Sequence, residues 1–378
     1  MYRLWEEFWW SKITGPHLLI EEVSNALYEN KIVFLQVPAD LPWRHAMRNE
    51  VRSSLSSKTQ GSDLLIEQID AADDNPENME PGKFILDRFA DDETIRHGYR
   101  EKSKTTIQEY LLSRGILRGR VLWVKGLSGE AAKQWEKFCR AFPGGGLNGG
   151  AMILEYSGDI PEGKNIAVIR YGDYVTSHDV QLFSDMIMSE QADCSDLWKL
   201  YKATIAATLC DTDAEIAKLL LENTDFRGET VFDGLEKIAQ DEVFLRRGTE
   251  EKSNHVLWYY RSGNRTELER RVWAAQVKVL FPLIEMERIQ LIKSNEKAIA
   301  EALQNRSMIQ YGERITNTID VELGTLCYMM RQREEEGQYL LYIPDEAQRR
   351  RIVFLHECRN CLAHVECCTR QQVNILLG

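Results

Sequence analysis

At 378 residues the chain has room for two or three domains and ample apolar core. Hydrophobic residues make up 43% and charged residues 28%, which excludes a disordered or fibrous chain. The net charge of −12, from 47 basic and 59 acidic residues, excludes a protein whose whole surface grips nucleic acid, so any contact with a polyanion must be local.

The aromatic stretch from Trp5 to Trp10 is short and reads as an amphipathic helix packed on the protein rather than a membrane anchor. Leu18 to Tyr28 is a helix. Lys31 to Val37 is a buried strand, because its apolar residues are continuous and Pro38 stops it. A helix over Trp43–Leu55, a strand over Leu64–Ile69 and a Pro/Asn/Asp-rich loop from Asp70 to Gly82 follow. Thr105–Arg114 reads as helix, Arg120–Val124 as strand and Ala131–Phe142 as helix. The glycine run Gly144–Gly150 leads into strand Ala151–Glu155. Strand Lys164–Arg170 and helix Ser177–Ser189 complete this part. Strands alternating with helices imply a mostly parallel sheet covered on both faces, so residues 1–190 form an α/β domain. Asp173, His178 and Asp179 are placed to cap the helix that starts near Ser177.

This layout resembles a P-loop NTPase module of the kind found in bacterial signalling and defence ATPases. A working phosphate loop needs G-x-x-x-x-G-K-[ST], for close backbone approach, a lysine on the terminal phosphates and a hydroxyl on magnesium. Here the loop after the first strand reads Pro38-Ala-Asp-Leu-Pro-Trp43-Arg44-His45, without glycine, lysine or hydroxyl. The domain is therefore expected to be a degenerate, non-hydrolysing module with no cofactor. Gly144–Gly150 has no lysine and helix behind it and reads as a surface loop. Glu155 ends its strand where a magnesium-site acid would stand, but without a lysine loop it is a residual feature.

Residues 191–265 read as a helical connecting region, with helices Leu197–Cys210, Thr212–Asn223 and Gly234–Arg246. Asp193, Asp196, Asp211 and Asp213 serve as caps and first-turn charges. Residues 266–378 form an all-α domain. Arg270–Gln304 is long and periodic, with Pro282 expected to kink it. Ile319–Arg333 is a second helix, ended by Glu334–Gly337. A third starts at Pro344 or Asp345, and Gln371–Leu377 is a last short one. Such helices fit an up-and-down bundle. This region holds 15 basic and 16 acidic residues, against 32 and 43 in 1–265, so it is the part that could approach a polyanion.

The third helix carries Arg359-Asn360-Cys361-Leu362-Ala363-His364. Residues four apart share a helix face, so Asn360 and His364 align and His356 extends the row. Arg359 and His364 converge only if the helix ends or kinks nearby. The ordinary structural reading is a helix with a surface Arg and a hydrogen-bonded His. The segment from Leu355 to Leu377 nevertheless resembles the signature helix of the HEPN superfamily, whose motif is Arg, a polar residue, spacers and His. The resemblance covers about residues 266–378. It implies a HEPN-like helical bundle and metal-independent RNA cleavage. A base must take the 2′-OH proton, an acid must protonate the leaving oxygen and a cation must face the phosphorane. His364 suits the proton transfers and Arg359 the phosphorane, while Asn360 orients His364 or bonds phosphate. The family further implies a composite site across a homodimer, with RNA, tRNA included, as substrate class. Arg349, Arg350 and Arg351 are then candidate RNA-tracking residues, or else a solvated helix face. By analogy with such fusions, the setting is a bacterial anti-phage or toxin–antitoxin system, with a protein partner or antitoxin. The alternative is a non-enzymatic RNA-binding or dimerisation subunit of a defence complex.

The eight cysteines are sparse, and neither a signal peptide nor an 18-residue apolar run is present, so a reduced, cytoplasmic protein without membrane contact is expected. Cys358, Cys361, His364 and Cys367 or Cys368 share a helical stripe. One straight helix cannot wrap a tetrahedral metal, so no metal is expected.

Overall fold

The computed structural model describes residues 4–378 apart from 60–63, 76–78, 101–103, 144–148, 158–162, 246, 250–253, 311 and 334–336. Most of the glycine run and the expected helix end at Glu334–Glu336 therefore lie outside the described residues. Two compact units are present: residues up to 183 with 212–215, and residues 184–211 with 216–378.

The first unit is built on five strands, β1 (Ile32–Gln36), β2 (Leu65–Asp70), β3 (Arg120–Lys125), β4 (Ala151–Glu155) and β5 (Ile166–Arg170). Their order is β2-β3-β4-β1-β5 and every pairing is parallel. The continuous apolar runs follow from burial on both faces, since successive side chains point to opposite sides. Ile32 and Phe34, Leu122 and Val124, Met152 and Leu154 join one core with Phe84, Ile85, Tyr110, Leu111, Trp135 and Phe138. Those partners come from helices Pro81–Phe89, Ile107–Ser113 and Gly129–Ala141. On the opposite face, Arg48 of helix Arg44–Lys58 lies over the Trp123 ring. Val33, Leu35, Trp123 and Ile153 are fully buried there too. Each such burial is worth about 1.5–3 kcal/mol.

Trp5–Lys12 is a helix, with Trp9 and Trp10 fully buried. Phe183 stacks edge-on with Trp5, Trp9 and Trp43. Helix Thr14–Tyr28 begins beside Asp179, whose carboxylate accepts from the Gly15 and Thr176 N–H groups at 3.0 and 2.9 Å. A Cβ at Gly15 would come within 2.4 Å of the Tyr174 carbonyl, so glycine is required there.

Two sequence expectations need correction here. The loop expected from Asp70 to Gly82 is shorter, because Pro81 opens helix Pro81–Phe89. Proline suits the first helical turn, where its missing N–H goes unused. Helix Ile107–Ser113 starts later than Thr105, at a capping box formed by Thr106 and Glu109.

The second unit is helical. Its axis is the helix Arg265–Ser294, which packs on Asp196–Cys210 and on Glu346–Ala363. Leu268, Val272, Ala275 and Val279 recur at helical spacing and are buried. The helix runs through Pro282 and stops at Asn295, ahead of Glu296–Asn305. Asn295 Nδ2 donates to the Leu291 carbonyl and to Gln348 Oε1, at 2.9 and 2.8 Å, which holds the chain at the break. Where one helix was expected over Ile319–Arg333, a 3-10 turn at Thr318–Asp320 precedes Leu323–Arg331. Arg288 donates to the Ile319 and Val321 carbonyls at this junction, at 2.8 and 3.0 Å. The helix expected from Gly234 starts at Val231, behind a Thr230–Asp233 capping box. Helix Val256–Arg261 and the small hairpin of β6 (Ile309–Gln310) and β7 (Glu313–Arg314) were not anticipated. Among the described residues no helix is long and apolar enough to cross a membrane.

Candidate functional site

The helix Glu346–Ala363 starts at Asp345, whose carboxylate accepts from the Ala347 and Gln348 N–H groups at 2.8 and 3.4 Å. Ile352, Leu355, Cys358 and Leu362 form its buried stripe. Trp273 Nε1 of the long helix donates to the Leu362 carbonyl at 2.7 Å, fixing the helix near its end.

Arg359 and Asn360 stand half-buried beside that stripe. Arg359 Nη2 lies 3.6 Å from Glu322 Oε2, just before the neighbouring helix Leu323–Arg331. Asn360 Nδ2 lies 3.1 Å from His356 Nε2. An amide donor makes that ring nitrogen the acceptor, which puts the neutral ring's proton on Nδ1. Burial pushes the His356 pKa below its ordinary 6.5, and the nearby cations Arg331 and Arg359 push the same way. Gly324 lets the neighbouring helix come close, since a Cβ there would meet His356 Nε2 at 3.3 Å.

His364 is exposed and terminates the helix, at φ −99° and ψ 17°. Its N–H donates to the Asn360 and Cys361 carbonyls at 3.0 and 3.2 Å. Val365 follows in the left-handed region at φ 63°, and the Glu366 N–H returns to the Cys361 carbonyl at 2.8 Å. This is the helix-ending geometry usually given to glycine, here carried by a β-branched residue. The helix thus ends at the point where the Arg359–His364 spacing requires it. Among the described residues no side-chain hydrogen bond joins Arg359, Asn360 and His364; Asn360 is brought to His356 and Arg359 to Glu322.

The three consecutive arginines point to different tasks. Arg349 donates to the Ile343 and Pro344 carbonyls just ahead of the helix. Arg350 is exposed and pairs with Glu346 one turn back. Arg351 makes a two-pronged pair with Glu287 of the long helix, at 2.6 and 2.7 Å. Among the described residues no group of three or more His, Cys, Asp or Glu is arranged to hold a metal ion. Cys358 and Cys368 are buried, and Cys368 Sγ lies 3.7 Å from the Cys358 carbonyl.

In the first unit, strand order reverses between β4 and β1. Helices on the β1 side and those following β2 and β3 cover opposite faces. The carboxyl ends of β1 and β4 therefore flank the crevice where open parallel sheets bind ligands. Protein groups fill this position. Glu155 pairs with Arg44 and accepts from Trp123 Nε1 at 2.8 Å. Arg44 also donates to the Pro38 and Ala39 carbonyls at 3.3 and 3.2 Å. The Trp43 N–H, at the start of the following helix, donates to Glu215 Oε2 at 3.0 Å. A helix start that suits anions is thus met by the protein's own carboxylate.

Sequence reasoning placed His356 in the motif row but missed Glu322, Gly324 and Arg331. Gly324 and Arg331 belong to another helix and Glu322 is its N-cap, so none carries a signal local to the motif. The chain matches no family model and no curated protein in such comparisons.

Proposed function

We propose that the chain is a metal-independent endoribonuclease effector of the HEPN type, with a non-hydrolysing α/β unit that senses or docks a partner. The observation that carries the reading is the motif's placement. Arg359 and Asn360 lie half-buried on one helix and His364 stands exposed at that helix's end. In this reading His364 moves the protons and Arg359 faces the phosphorane. Asn360, held by His356, positions the ring or bonds phosphate. A second copy of the chain supplies the facing motif, which one chain alone lacks. The setting is bacterial defence or a toxin–antitoxin pair. The filled crevice at Glu155 supports a first unit that turns over no nucleotide.

The Arg359–Glu322 pair favours a second reading, a non-enzymatic RNA-binding or dimerisation subunit. A paired guanidinium must be released before it can meet phosphate.

Incubation of the full chain with total tRNA and with single-stranded RNA, in EDTA, separates the two. The nuclease reading expects cleavage that persists in EDTA and falls at least a hundredfold, or about 3 kcal/mol of barrier, in Arg359→Ala and in His364→Ala. RNA binding without cleavage by a dimeric protein favours the second reading. Cleavage abolished by EDTA rules out the metal-free chemistry.

A further inference from the structure

The second unit contains a cavity of about 440 Å³ that the RNA reading does not use. Its walls come from Asp196–Cys210, the start of Val231–Gln240, the long helix and the turn after His364. The volume lies in the range of about 300–1,000 Å³ typical of small-molecule sites. Phe226, Phe232, Ile205, Val272 and Val373 supply aromatic and aliphatic wall.

Two polar side chains, each more than nine-tenths buried, lie among these walls: Tyr201 and Gln276. The Gln276 amide is committed. Its Nε2 donates to Tyr201 Oη and to the Cys368 carbonyl, both at 3.2 Å, and its Oε1 accepts from the Cys368 N–H at 2.7 Å. Tyr201 Oη is therefore used as an acceptor, and among the described residues its own proton meets no acceptor. Burial raises the Tyr201 pKa to about 12, so the hydroxyl remains a donor at ordinary pH. A buried donor of this kind calls for an acceptor.

The cavity's remaining charges set the ligand's character. Glu229, Glu269 and Glu366 outnumber Arg265 and Arg370. Arg265 is paired with Glu269 at 2.9 Å and lies 4.1 Å over the Phe232 ring. Glu229 is paired with Lys237 at 2.8 Å, which leaves Glu366 and Arg370 as one charge of each sign, and this balance favours an uncharged ligand over phosphate. Aromatic wall, one buried donor and lining carboxylates together describe an uncharged planar ring that both accepts and donates hydrogen bonds.

We propose that this cavity binds an uncharged purine-type heterocycle, ring against the aromatic wall and a ring acceptor on the Tyr201 hydroxyl. The site is independent of the RNA chemistry proposed above. Calorimetric titration of the full chain with adenosine, guanosine and hypoxanthine, and with adenosine and guanosine 5′-monophosphates, tests it. At least one uncharged compound is expected to bind with a submillimolar dissociation constant, and the monophosphates no more tightly. Tyr201→Phe keeps the ring and removes the proton, and should weaken binding about tenfold. Val272→Trp fills the cavity and should abolish binding while one cooperative melting transition remains; should that variant not fold, Val373→Phe serves the same purpose. The proposal is overturned if no uncharged compound binds at millimolar concentration, if the monophosphates bind at least tenfold more tightly, or if Tyr201→Phe leaves the affinity unchanged.

Discussion

Removing the Glu155 carboxylate should destabilise the first unit by about 2–4 kcal/mol, because the group is structural. Its side chain is 10% exposed and serves two donors, Arg44 and Trp123 Nε1. In Glu155→Ala the buried indole N–H loses its acceptor, at about 1–3 kcal/mol. Arg44 loses its counter-ion, which in a deeply buried pair costs about 3–5 kcal/mol. The Arg44 side chain is 25% exposed and keeps the Pro38 and Ala39 carbonyls, so its share falls to about 1 kcal/mol. Glu155→Gln retains an acceptor for Trp123 and should lose only about 1 kcal/mol. Urea denaturation followed by tryptophan fluorescence reads both variants, and neither they nor the parent should hydrolyse ATP. An acid held for metal or catalysis behaves oppositely, since its removal commonly stabilises the fold. Unchanged or increased stability in Glu155→Ala would therefore refute the reasoning, as would nucleotide turnover that Glu155→Gln abolishes.

Three further outcomes are expected. His356 has a folded pKa below its unfolded 6.5, so the unfolded chain takes up the proton more readily. Its contribution to stability is intact above 6.5 and declines as pH falls from there to the folded pKa; a His356→Gln variant should lack this slope in denaturation between pH 5 and 7.5. Arg359→Ala removes one of the cations depressing that pKa, so NMR titration should show the imidazole moving back toward 6.5, and an unchanged or lower value contradicts the electrostatics. Val365 is 58% exposed in the left-handed region, where a β-branched residue costs about 1–2 kcal/mol; Val365→Gly should raise the melting temperature by about 2–4 °C, and a fall would contradict the assigned strain.

Much of the first unit was legible because its evidence is local. Ile32–Leu35, Val121–Val124 and Ala151–Leu154 are apolar without a break, as strands buried on both faces require. Helix starts were legible where a side chain caps its own backbone, as at Asp345. Pro81–Phe89 was missed because its preceding Pro/Asn/Asp-rich stretch masks a helix that proline in fact begins. The long helix was expected to reach Gln304 because no local signal announces the break at Asn295, which is held by Gln348, 53 residues away.

The motif shows the same division. Spacing alone put His356, Asn360 and His364 in a row, and the helical repeat is enough for that. That Arg359 meets Glu322, that Gly324 closes on His356, and that the helix ends at His364 through Val365 depend on tertiary contacts and on a turn with no glycine to announce it. In the first unit, the sequence alone shows that the loop after β1 holds no glycine, lysine or hydroxyl. Only the folded sheet decided what stands in that place. Glu155 stands 111 residues from Arg44 and Glu215 stands 172 residues from Trp43, and the parallel pairing of β1 with β4 is what sets Glu155 beside the loop that carries Arg44.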